Sequence, residues 1–251
     1  MPIIKEHVPG MPCWVDSMVS NSEDRLALID FFSSVFGWEF DMGTADMGYY
    51  SIARSNGEAV LGIGEQADGR GVWVTYFTTD DIQGACQMVS EQGGQIFFPP
   101  IQIMTLGWMA LAMDPAGAIH GLWEPIDFHG FGVMYEPNSL GWFDHVSEDT
   151  DAVNKYYKRV LNAGSMNEGE MKVLTRGDQW FASISHGNRE EQPAQWMPVY
   201  VVDSLDRIKS KVRDLGGEII IEEMEVPGSS ISVFREPVMK NYITVMASSA
   251  S

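Results

Sequence analysis

The amino-acid sequence predicts a mixed α+β fold assembled from two copies of one module. Three observations predict it. An internal repeat runs through most of the 251 residues. Apparent strands and helices alternate without the regular βα rhythm of a parallel sheet. The composition, 45% hydrophobic and 20% charged, is that of a chain with a real core. The length suits one large domain or two of ordinary size. With 16 Lys and Arg against 35 Asp and Glu, the net charge is −19, which argues against nucleic-acid and anionic membrane partners. No apolar run approaches a membrane span, and MPIIKEHVPG lacks the apolar stretch of a signal peptide. The cysteines, Cys13 and Cys86, cannot form a disulfide framework or a multi-cysteine zinc site. A soluble, cytoplasmic protein is the expectation.

The repeat fixes the elements in order. Cys13-Trp14-Val15-Asp16 returns as Gly141-Trp142-Phe143-Asp144, 128 positions later. Each opens a short strand and leads into a polar, acidic stretch, Ser20 to Asp24 or Ser147 to Asp151, suited to capping a helix. The helices follow, with apolar Leu26, Ile29, Phe32, Val35 and Phe36 in one and Val153, Tyr156, Tyr157, Val160 and Leu161 in the other. They stop near Gly37 and near Asn162 to Gly164. In the first copy, strands are expected at Tyr49 to Ala53, Ala59 to Ile63 and Trp73 to Thr78. The last of these matches the stretch from Trp196, offset by 123. Second helices run from about Asp81 to Gln92 and Leu205 to Leu215, each ending at a Gly-Gly pair. Two strands then flank Asp114-Pro115 and Glu236-Pro237 as hairpins. The predicted boundaries are 1-126 for the first module, 127-139 for a Pro- and Gly-bearing connector and 140-251 for the second.

Several of these motifs, in order and at matching spacing, are similar to the glyoxalase/bleomycin-resistance/dioxygenase superfamily, the vicinal oxygen chelate group. They are Trp14-x-Asp16, Phe31-Phe32 with Phe36-Gly37-Trp38, Gly93-Gly94, Pro99-Pro100 and Asp114-Pro115-x-Gly117-Ala118-x-x-Gly121-Leu122-Trp123. More narrowly, the chain resembles tandem two-module members labelled glyoxalase-like or hydroxylase-like. The first copy matches closely and the second loosely, with Met239 where Gly117 stands. The resemblance implies two tandem βαβββ-type modules forming curved mixed sheets, with helices outside and a central cleft.

Metal-dependent members of that superfamily carry ligands on the first strand, a middle strand and the last strand. The corresponding positions here count to Trp14, Trp73 and Gly121, and to Trp142, Trp196 and Ile243. None of these side chains holds a divalent cation, so no metal centre and no cofactor are expected. Alternation along a strand would put Trp14 with Asp16 and Met18, Trp142 with Asp144, Trp73 with Thr75 and Phe77, and Trp196 with Pro198 and Tyr200. Met197, Val199 and Val201 would then face helices. The expected site is an aromatic cleft of Trp14, Trp73, Trp142, Trp196, Phe77 and Tyr200, with Asp16 and Asp144 as anchoring or catalytic carboxylates. The competing reading makes each Trp ordinary core and each Asp a strand-fixing acceptor.

His145 and His120 are expected on the helix side, as satisfied core histidines. The many methionines suit adaptable core packing, and Glu190-Glu191 and Glu222-Glu223 suit a solvated face. Two functions follow from these readings. One is metal-free binding of a small aromatic or apolar molecule, as in bleomycin-resistance-type relatives. The other is a superfamily enzyme (lyase, hydroxylase or dioxygenase-like) using Asp16 or Asp144 as base or weak ligand to a divalent metal. The partner is a small molecule in either case, and the chain is a monomer or homodimer.

Overall fold

A computed structural model describes residues 8–65, 72–187 and 194–248. Glu190 and Glu191 lie outside the described residues. The first sheet holds β1 (Pro12–Val19), β2 (Glu39–Asp41), β3 (Ser51–Ser55), β4 (Glu58–Glu65), β5 (Val72–Thr78), β6 (Gln95–Ile103), β7 (Gly107–Met113) and β8 (Ile119–Pro125). The second holds β9 (Leu140–Ser147), β10 (Gly164–Glu168), β11 (Met171–Arg176), β12 (Gln179–His186), β13 (Gln195–Val201), β14 (Glu218–Val226), β15 (Ser229–Arg235) and β16 (Tyr242–Ser248). Their orders, β2-β3-β4-β1-β5-β8-β7-β6 and β10-β11-β12-β9-β13-β16-β15-β14, are the same pattern twice. The repeat in the sequence is therefore a repeat of topology, and the fold is mixed α+β in two similar open sheets.

The helices begin where the sequence supplies caps. In α1 (Ser22–Phe36), Asn21 accepts from the backbone N–H of Asp24, and Gly37 closes the helix in the left-handed region at φ 76°. Asp81 caps α2 (Ile82–Glu91), Asp149 caps α3 (Thr150–Val160) and Ser204 caps α4 (Leu205–Asp214). Among the described residues no helix is long and apolar enough to cross a membrane.

Strands β6 and β14 are additional to the strands read from the sequence. Pro99-Pro100 argues against a strand, yet β6 is the sheet's edge, and its pairing with β7 shifts register on either side of Phe98. Proline is tolerated at such places because no inner ladder needs its missing N–H.

The helices pack on the sheet faces that carry Trp73 and Trp196, and these faces join the two copies. Phe32 of α1 lies 6.2 Å from Trp73, and Phe36 lies 5.4 Å from Tyr200 of the second copy. Tyr157 of α3 lies 5.0 Å from Trp196 and 5.9 Å from Phe77 of the first copy. The Trp73 indole donates to the Tyr242 carbonyl at 3.0 Å. Each copy's helix thus finishes the core of the other, which leaves the opposite faces of the two sheets as the candidate clefts.

Candidate functional site

Strand register decides which side chains reach those clefts. Between β1 and β5, Trp14 pairs with Tyr76, Asp16 with Val74 and Ser17 with Trp73. Directly paired residues share a face. Trp14, Asp16, Val74 and Tyr76 therefore line one face, while Trp73, Thr75 and Phe77 line the other. In the second copy Trp142 pairs with Val199 and Asp144 with Met197, whereas Trp196 pairs with His145 on the far side.

The expected six-aromatic cleft is corrected accordingly. Trp73, Phe77, Trp196 and Tyr200 belong to the buried seam between the copies, and Trp196 and Tyr200 are fully buried. Met197 and Val199 face the cleft rather than the helices. The alternation within each strand holds; the pairing between strands is offset by one residue from the expectation, which turns a whole strand over. Trp14, Asp16, Trp142 and Asp144 stand on the faces turned away from the seam.

Each cleft floor carries the same three-part relay. In the first copy, the Trp14 indole donates to the Tyr50 hydroxyl at 2.7 Å and to Asp16 Oδ1 at 2.9 Å. The Tyr50 hydroxyl in turn donates to the same Asp16 oxygen. In the second, the Trp142 indole donates to Ser183 Oγ at 2.8 Å, and Ser183 donates to Asp144 Oδ1 at 2.6 Å. Ser185 adds a second hydroxyl to that oxygen at 2.8 Å. Indole, hydroxyl and carboxylate recur, with the hydroxyl drawn from the residue before β3 in one copy and from β12 in the other. Tyr50, Ser183 and Ser185 are site residues that sequence reasoning does not single out. Their signal is the alternation on one matched strand, Gly62-x-Gly64 in β4 against Ser183-x-Ser185 in β12.

Burial sets the charge on both acids. It pushes Asp16 above the usual carboxylate range, against the lowering effect of bonds from Tyr50, Tyr76 and Trp14. It also pushes Tyr50 upward, reinforced by the Asp16 charge, so the phenol keeps its proton. Asp144 rises to about 6 through burial, with Ser183 and Ser185 opposing. Such a carboxyl can accept a hydrogen bond or take a proton near neutral pH.

The walls are apolar. On β7, Met109 Sδ lies 3.5 Å from the Tyr76 hydroxyl. Phe98 and Ile101 of β6, each 37% exposed, pair with Leu111 and Met109 on the same face. The segment between the copies closes one end, with Phe128 edge-on to Trp14 at 5.0 Å and Phe131 at 5.4 Å. Several methionines therefore face a cleft instead of filling core, and they give it a soft, adaptable lining.

The histidines lie elsewhere, as the sequence suggested. His145 Nε2 meets Asp114 Oδ2 at 2.7 Å, and Tyr157 donates to that oxygen at 3.0 Å. The Trp196 indole donates to Tyr157 at 2.8 Å. His120 Nε2 lies 2.8 Å from the Tyr156 hydroxyl, and burial lowers this imidazole to about 4. Burial would raise Asp114, but the His145 contact and the Ala118 N–H hold it below its ordinary value. This sealed network locks the two copies together.

The clefts offer little to a divalent cation. At Asp16 the neighbouring groups are an indole N–H and phenols that direct hydrogens at the carboxylate. At Asp144 they are an indole N–H and two serine hydroxyls. Among the described residues, neither cleft brings a histidine or a second carboxylate to its Asp, and no three His, Cys, Asp or Glu side chains converge. The donor set does not fit the three-ligand centre that the resemblance implies.

No protein-family model matches the chain. Among characterised sequences it is similar to "Putative glyoxylase CFP32" of Mycobacterium bovis, 30% identical over 239 residues covering 90% of each chain. It is also similar to "Anthracycline biosynthesis protein DnrV" of Streptomyces peucetius, 27% identical over 242 residues, covering 87% of this chain and 86% of that one. In structure it is similar to the Mn(II)-bound glyoxalase from Novosphingobium aromaticivorans, with a TM-score of 0.67 and 15% identity over 95% of this chain and 82% of that one. Homoprotocatechuate 2,3-dioxygenase from Brevibacterium fuscum gives a TM-score of 0.66 and 14% identity, over 99% and 84%. At these identities the structures share the fold alone.

Proposed function

We propose that this chain, which belongs to the glyoxalase/bleomycin-resistance/dioxygenase (vicinal oxygen chelate) superfamily as a tandem two-module member, binds a small aromatic or apolar organic molecule without a resident metal. The observation that carries this reading is the Trp–hydroxyl–Asp relay on the floor of each cleft. Its Trp and Asp stand on β1 and β9, the first strands, where the resemblance implies one of the ligands of metal-dependent members, and it presents one carboxylate among hydrogen-bond donors inside apolar walls. An apolar pocket with a few convergent polar groups orients a ligand through those groups and holds it through area. Trp142 supplies a flat face, Asp144 an acceptor, and the methionines a lining that adjusts to shape. The naming of one relative for anthracycline biosynthesis agrees with an aromatic guest.

A second reading has one observation in its favour. A carboxyl raised to about 6 is suited to general-base work, so Asp144 could take a proton from a bound substrate. In that case the chain is an enzyme of the superfamily, and the strands, not a metal, position its base.

Elemental mass spectrometry of purified protein that has never met a chelator, followed by a calorimetric screen of aromatic compounds, tests the proposal. Binding with no stoichiometric metal supports it. One tightly held Mn or Fe per chain, required for binding, would overturn it. Turnover that disappears in Asp144→Asn while binding persists would favour the second reading.

A further inference from the structure

The two relays differ in one respect that identifies what the ligand presents. In the first cleft the carboxylate is roofed by two phenols, and each is seated on glycine. A Cβ at Gly62 would lie 1.8 Å from the Tyr50 hydroxyl, and one at Gly121 would lie 2.0 Å from the Tyr76 ring. The second copy makes the reverse exchange at both places. Ser183 faces Asp144 on β12 as Gly62 faces Asp16 on β4. Lys172 pairs with Ile184, so Met171 stands opposite Ser185, where Tyr50 stands opposite Gly64. Val199 pairs with Thr244 where Tyr76 pairs with Gly121. Two tyrosine rings on glycines have become a methionine and a valine beside serine and threonine. Asp144 and Trp142 are correspondingly only partly buried, whereas Asp16 and Trp14 are buried.

We infer that Tyr50 is a resident stand-in for a ligand: it fills the first cleft with the chain's own phenol, and the second cleft receives an aromatic ligand whose aryl hydroxyl donates to Asp144. This rests on the binding reading above and adds the cleft and the chemical group. A phenol donor and a flat ring are what the fold places over the matched carboxylate when it supplies both itself. In the second cleft the Ser183 and Ser185 hydroxyls fix the carboxylate, while a methionine and a valine stand in the register of the two rings.

Isothermal calorimetry with 2-naphthol and with naphthalene tests this. Wild-type protein is expected to bind one equivalent of 2-naphthol, and naphthalene at least tenfold more weakly. Asp144→Asn, which keeps shape and an acceptor oxygen, should weaken 2-naphthol at least tenfold, because the hydrogen bond loses its charged acceptor. The triple variant Met171→Tyr, Ser183→Gly, Ser185→Gly rebuilds the filled arrangement and should lose the equivalent. Tyr50→Ala should gain a second. Equal affinity for the two probes, or an equivalent that survives Asp144→Asn, overturns the inference. A ligand seated at Asp16 with Tyr50 displaced overturns it while leaving the binding reading intact. Failure of 2-naphthol and every other aromatic probe at both clefts overturns the reading itself.

Discussion

Replacing Asp144 by Asn should change how stability depends on pH, and the size follows from the cleft. In the native chain burial raises this carboxyl from 3.8 to about 6. The folded state therefore holds the proton more tightly than the unfolded state does. The stabilisation is complete below about pH 3.8 and is lost as pH rises through about 6. Some 2.2 pH units at about 1.36 kcal/mol each set a limit near 3 kcal/mol. Between pH 5 and 8 the wild-type chain should lose about 1.4 kcal/mol of this, since at pH 5 much of the difference has already been spent. The Asp144→Asn side chain keeps an oxygen for Ser183 and Ser185 but carries no charge, so the stability of the variant lacks this component. Urea unfolding of both proteins at pH 5 and pH 8 isolates it, because other titrating groups cancel in the difference. The wild-type advantage over Asp144→Asn should shrink by about 1.4 kcal/mol as pH rises. A constant difference, or one that grows with pH, would show that the carboxylate is not held in a desolvating cleft and would refute the reasoning.

Other substitutions separate floor from seam. Gly62→Ala pushes a methyl into the Tyr50 hydroxyl and Asp16, and should cost about 1–3 kcal/mol by urea unfolding through overpacking. Trp142→Phe keeps most of the ring but removes the indole N–H that holds Ser183; calorimetry should show weaker ligand binding with a melting temperature nearly unchanged. Trp196→Ala should do the opposite. It empties a fully buried site in the seam, lowering stability by about 3–5 kcal/mol while calorimetric affinity changes little. Tyr157→Phe removes one donor from Asp114 and leaves the Trp196 indole without its acceptor, at a cost of about 1–3 kcal/mol by the same assay.

Much of this fold was legible in the sequence because duplication writes each element twice. The caps at Asn21 and Asp149, the stop at Gly37 and the hairpins at Asp114 and Glu236 are local chemistry, and local chemistry survives without tertiary context. Trp14 and Asp16 were legible as neighbours on one sheet face for the same reason, since two residues apart on one strand is a local relation. What the sequence concealed was register between strands. Nothing in Trp73-Val74-Thr75-Tyr76 says whether Trp73 or Val74 stands beside Asp16, and the answer moved four aromatics from cleft to seam. Tyr50 was concealed for another reason. It precedes β3 and reaches Asp16 across β4, over glycines that otherwise look like mere absences of side chain. The edge strand β6 was hidden by its prolines, which signal a loop until the sheet's border is known.

The account turns on a small aromatic molecule lying against the Trp142–Ser183–Asp144 relay. The eight tryptophan indoles report on it directly by nitrogen-15 NMR, with resonances assigned from single Trp→Phe variants. Titration with 2-naphthol should shift the Trp142 indole N–H and leave those of Trp73 and Trp196, in the seam, in place. A Trp142 resonance unmoved at saturating probe, with shifts confined to Trp73 and Trp196, would contradict it.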